Sequence, residues 1–167
     1  MGCLRSFVVW YLPKTGNKQH TQPISLTGNM LMNTERLLEL LKLLDTIPND
    51  NLDLSAWAFE DIEDRSQQQL IDCGTTCCAV GWACSHPPFI DEGLHWSHRD
   101  EPMPAYLEHS SWDAVEVFFE INTTVATWLF SDDSYPSKYS IQDVRKRIGD
   151  ILEDTDLYDH LTKSYMY

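Results

Sequence analysis

Four of the five cysteines of this 167-residue chain crowd into Cys73-Gly74-Thr75-Thr76-Cys77-Cys78-Ala79-Val80-Gly81-Trp82-Ala83-Cys84, and His86, His95 and His98 follow closely. Thiolates and neutral imidazoles are zinc ligands, which makes Cys73, Cys77, Cys84 and His86, with His95 or His98, the metal candidates. Their spacing speaks against a centre. Cys-x3-Cys, Cys-x-His and His-x2-His do not make a zinc knuckle, and adjacent Cys77 and Cys78 would point away from each other on a helix. Small apolar thiols filling core space beside Gly81 account for the same residues, so neither a metal nor a cofactor is expected.

Cys73 offers a second chemistry. At a helix N-terminus its pKa would fall, and one of the loop histidines could complete a Cys–His nucleophile. Nothing in the sequence locates that histidine or an oxyanion hole. No phosphate-cradling glycine loop, Gly-x-Ser-x-Gly or His-Glu-x-x-His occurs either. No catalytic residue is assigned, and a protein that is not an enzyme is expected. Trp96, Trp112 and Trp128 could line a pocket for a base or sugar, although helical spacing makes Trp112 and Trp128 read as core.

The acids carry more information. The net charge is −14, and residues 43–137 hold 18 Asp and Glu against only Arg65 and Arg99. Such a field repels phosphate backbones, so direct nucleic-acid binding is disfavoured and a protein with a basic surface becomes the expected partner. Glu60, Asp61, Glu63 and Asp64 are the densest of these acids and the first binding candidates. His95, Trp96 and His98, in a proline-rich stretch, are the others. The bland alternative is that the acidity only keeps the domain soluble.

These residues need elements to position them. Thr34 to Leu44 is an amphipathic helix capped by Asn33 or Thr34, with Leu37, Leu40, Leu41 and Leu44 on one stripe that Leu38 widens. Asp53 to Phe59 reads as a short helix or an extended segment. The cysteine stretch predicts a buried helix from Thr75 or Thr76 to His86, ended by Pro87-Pro88. Gly81 in mid-helix costs about 1 kcal/mol relative to Ala, which implies close approach of another helix. Pro87 to Pro104 reads as a long loop over a core edge. Ser110 with Asp113, and Ser140 with Asp143, are capping-box patterns opening later helices, and Asn122-Thr123 caps a further one. The fold predicted is all-α: a compact, irregular bundle of five or six short helices around the cysteine helix. The domain spans 32–155, behind a flexible extension over 1–31 and before a tail over 156–167.

A 167-residue chain buries a core without staples, and the odd, clustered cysteines read as reduced thiols in a cytoplasmic protein. Membrane association is not expected, since the apolar run Phe7 to Leu12 is too short to span a bilayer. Met1-Gly2-Cys3 begins a weak N-acylation pattern that would need a eukaryotic host enzyme.

The pattern Cys-Gly-Thr-x-x-Cys-x-x-Gly-Trp-Ala at residues 73–83 resembles a signature of small, mostly uncharacterised bacteriophage and bacterial proteins. In them it follows a leucine-rich helix and precedes a Phe-Phe helix and a Trp-Leu-Phe segment, here Leu37 to Leu44, Phe118-Phe119 and Trp128-Leu129-Phe130. The resemblance covers about Thr34 to Ile151. It implies a fold and a phage-like context, and no activity. Together these readings lead to a non-enzymatic acidic interaction protein, phage accessory or anti-defence, that binds or masks a host macromolecule. The alternative is a small-molecule binder or enzyme using a cleft between the 87–104 loop and the cysteine helix.

Overall fold

The Asn33 side chain accepts the Arg36 N–H at 3.1 Å, and this cap starts the first helix, α1, over Thr34–Leu44. The structure is a computed structural model describing residues 32–58, 69, 74–97 and 102–163. The expected extension over 1–31 therefore lies outside the described residues. Leu37, Leu40, Leu43 and Leu44 form the buried face of α1, with Leu41 packed beside them. Leu38 is half exposed, so the stripe runs through Leu43 instead.

The cysteine helix is shorter than its sequence suggests. It spans Ala79–Cys84 (α2), and its N-cap is Cys78, whose Sγ accepts the Gly81 N–H at 3.2 Å. Cys77 lies outside it in an extended strip: its N–H bonds Asn51 O at 3.2 Å and its carbonyl accepts Asp53 N–H at 3.1 Å. The 52–58 segment is correspondingly not a helix; Leu52 and Ala58 both bridge to Cys77. Pro87-Pro88 does not merely stop a helix. It opens the next one, α3 (Pro87–Asp91), at positions where a missing N–H costs nothing.

The all-α expectation is overturned by a three-stranded antiparallel sheet in the order β1 (His95–Ser97), β2 (Met103–Tyr106), β3 (His109–Ser110). The stretch read as a long loop thus holds a helix and two strands. Each strand is too short to show a period. Pro104 occupies the central strand opposite Trp96, where proline ordinarily argues against a strand. Tyr106 pairs with His109 across Leu107-Glu108, and Leu107 adopts a positive φ of 54° without the Asn-Gly chemistry that marks tight hairpins.

α4 (Trp112–Phe119) packs on β2, and α5 (Thr123–Phe130) starts at Asn122, whose side chain accepts Val125 N–H at 2.9 Å. The capping box expected at Ser110 is absent, because Ser110 is the end of β3. The one at Ser140 is present, with the Asp143 carboxylate accepting the Ser140 N–H at 2.8 Å and opening α6 (Ile141–Glu153). α7 (Thr155–Lys163) packs on α5 and α6 through Leu157, Tyr158 and Leu161. No described helix is long and apolar enough to cross a membrane.

Trp82 sits at the centre, fully buried, donating its indole N–H to Asn51 O at 2.9 Å. Two arginines tie helix ends to this core. Arg36 is buried, donates to the Phe118 carbonyl near the end of α4, and pairs with Glu92 at 2.6 Å. Arg147 donates to the Trp128 carbonyl near the end of α5 and to Ser134 O at 2.5 Å. Each guanidinium satisfies carbonyls that a helix terminus leaves without partners.

Candidate functional site

Cys73, His98, Glu60, Asp61, Glu63 and Asp64 lie outside the described residues. The remaining sequence candidates do not converge. Cys77, Cys78 and Cys84 are buried thiols. Burial pushes the Cys78 thiol up to about 12, and burial followed by its cysteine neighbours raises Cys84 well above the ordinary thiol range. Both stay protonated at neutral pH, which is poor chemistry for a nucleophile or a metal ligand. His86 Nε2 meets Glu39 Oε1 at 3.0 Å, with its ring edge-on to Phe89. His95 is exposed, and its Nδ1 lies 2.9 Å from Gly93 O. Trp96 is buried and donates its indole N–H to Ser85 Oγ at 3.1 Å, so it fills the space beside α2. Among the described residues, no group of three or more His, Cys, Asp or Glu is placed to hold a metal.

A cleft of about 550 Å³ opens elsewhere, between the 54–58 segment, the start of α4 and the end of α5. Its lining includes Leu54, Trp57, Trp112, Phe130, Ser131 and Asp132. The Trp57 and Trp112 rings are half-buried, with centroids 4.9 Å apart and planes tilted by 59°. The cysteine segment positions Trp57. The Cys78 N–H donates to Trp57 O at 3.3 Å, and a Cβ on Gly81 would sit 2.1 Å from that same oxygen. Gly81 therefore serves a close approach, as its mid-helix position suggests, but the approaching group is an extended backbone rather than a helix. Trp112 is held by the residue before it. Ser111 donates its N–H to Pro104 O at 2.8 Å and adopts φ 59°, ψ −137°, a conformation costing a non-glycine residue about 1–3 kcal/mol.

Trp57 and Asp132 do not stand out in the sequence. Trp57 pairs with Trp112 across more than fifty residues, and Asp132 joins them only as part of the cleft lining, so no local spacing encodes the site. Trp112, whose helical spacing reads as core, both packs against the core and lines the cleft.

The electrostatics divide by depth. No Asp or Glu among the described residues is buried, whereas Arg36 is, and Arg147 is half-buried against Trp128 and Tyr135. Two of the chain's few cations are thus spent inside, and the acids face out. In comparisons with protein-family models, curated proteins and solved structures, the chain matches none.

Proposed function

We propose that the chain is a non-enzymatic acidic interaction protein that binds or masks a host macromolecule through that macromolecule's basic surface. The observation carrying this reading is the segregation of charge: every described carboxylate reaches solvent, while Arg36 and Arg147 are turned onto helix-end carbonyls and aromatic rings. With a net charge of −14, the exterior attracts basic patches beyond contact distance. The likeness of the 73–83 motif to phage-encoded proteins supports an accessory or anti-defence role in a bacterial cytoplasm. The buried, protonated thiols support a structural part for the cysteine helix rather than catalysis.

The test is recovery of the tagged full chain from a bacterial lysate, mass spectrometry of what co-purifies, and the affinity of the purified pair across salt. A partner with a basic surface is expected. Its affinity should fall steeply between about 0.1 M and about 1 M salt, as the Debye length shrinks from about 10 Å to about 3 Å. A partner whose affinity ignores salt would contradict the proposal.

A further inference from the structure

We infer that the Trp57–Trp112 cleft is the seat for a lysine or arginine side chain presented by a basic segment of the partner protein. The inference rests on the interaction reading above and supplies its contact chemistry.

Three observations converge on a cation. The first is that this protein already lays its own cations over aromatic rings in two places. Arg36 lies over Phe118 at 4.2 Å and Tyr106 at 5.4 Å, and those two rings are themselves in edge contact at 5.0 Å. Arg147 lies over Tyr135 at 3.6 Å and Trp128 at 4.9 Å. Trp57 and Trp112 pack against each other at 4.9 Å, and among the described residues no guanidinium or ammonium covers them. Indole faces carry the strongest ring quadrupole available to a protein and attract cations best.

The second is charge. Among the described residues, the cleft lining contains Asp132 and no Lys, Arg or His. Asp132 has no ion-pair partner among the described residues, unlike Asp45, Asp150 and Asp159, which pair with Arg145, Lys146 and Lys163. Its 3-10 turn, Asp132–Ser134, is braced from below by Arg147 on the Ser134 carbonyl and hydroxyl. A carboxylate lining the same cleft as two indoles complements a cation and disfavours an anion. The hydroxyls of Ser55 and Ser131 add acceptors that a guanidinium or ammonium can use.

The third is preorganisation. Trp57 is fixed through its carbonyl to Cys78, and Trp112 follows the strained, hydrogen-bonded Ser111. The backbone beneath each ring is thus fixed and the two rings pack on each other, which lowers one of the ordinary costs of binding.

The experiment titrates isotope-labelled full chain with acetyl-hexaarginine amide and with the matching hexacitrulline peptide, following the indole N–H resonances. Saturable movement of the Trp57 and Trp112 signals by the arginine peptide alone is expected. Asp132→Asn should weaken that binding by about fivefold, while Asp156→Asn, an exposed acid outside the cleft, should change it less than about twofold. Arginine-peptide binding that leaves both indole signals unmoved, or that weakens equally in the two variants, would overturn the cleft and leave the acidic-surface reading standing. An equal response to hexacitrulline would show an apolar peptide groove and also overturn it. Absence of any binding, as when a segment of the chain itself fills the cleft, overturns it too. The wider reading falls separately, on a salt-indifferent partner.

Discussion

Gly81 links the sequence motif to the cleft. A methyl group there would meet the Trp57 carbonyl at 2.1 Å and Cys77 Cβ at 3.0 Å, and the first of these is backbone that cannot swing aside. Gly81→Ala should therefore lose about 1–3 kcal/mol of stability by overpacking, read as a lower melting temperature. Unchanged melting would mean that Trp57 does not lie against α2. The neighbouring thiols give a second check. Cys77, Cys78 and Cys84 are fully or nearly fully buried, so alkylation mapped by peptide mass should be slow at these positions in native protein and fast after denaturation. Rapid native labelling of all three would remove them from the core. The crowding of these cysteines, the small residues around them and the mid-helix glycine were enough to mark this stretch as buried. The direction of the chain through Cys77 was not legible, because an extended strip one residue wide has no periodicity.

The helices with clear stripes and caps were readable: α1 from its leucines and Asn33, α5 from Asn122, and α6 from Ser140 and Asp143. The sheet was not, since Pro104 and the Leu107-Glu108 turn contradict local strand and hairpin preferences and are held by tertiary contacts. The 52–58 segment shows how such contacts are secured. The Tyr139 hydroxyl accepts the Leu54 N–H at 2.9 Å and donates to Asp53 Oδ1 at 3.1 Å, joining the approach to α6 to the approach to the cleft. Burial pushes the Asp53 carboxyl up, but hydrogen bonds from Ser55 and Tyr139 outweigh it and leave the pKa below its ordinary 3.8. A carboxyl lowered on folding stabilises the native state above its unfolded pKa, and that contribution is lost as pH falls through the folded value. In thermal melts from about pH 6 to about pH 3, the wild type should therefore lose stability more steeply than Asp53→Asn. Parallel slopes would show that the clasp does not depend on the carboxylate. Asp53 reads from the sequence only as the start of a short helix or extended segment; its Tyr139 partner lies 86 positions away, beyond the reach of any local pattern.

The charge of the whole protein was legible at once, and its consequence is kinetic. An exterior of carboxylates, with Arg36 and Arg147 drawn inside, would steer the proposed basic partner during diffusion more than it would strengthen the final complex. Which acids would meet the proposed partner is not legible, because Glu60, Asp61, Glu63 and Asp64 stand out by density alone, whereas Asp132 stands out only through its neighbours in space. The most direct measurement is the association and dissociation rate of the full chain with its recovered partner at low and high salt. The expected result is an association rate that falls by about tenfold or more between about 0.05 M and about 0.5 M salt, with dissociation changing far less. An association rate that stays constant across that range would contradict an acidic surface built to capture a basic partner.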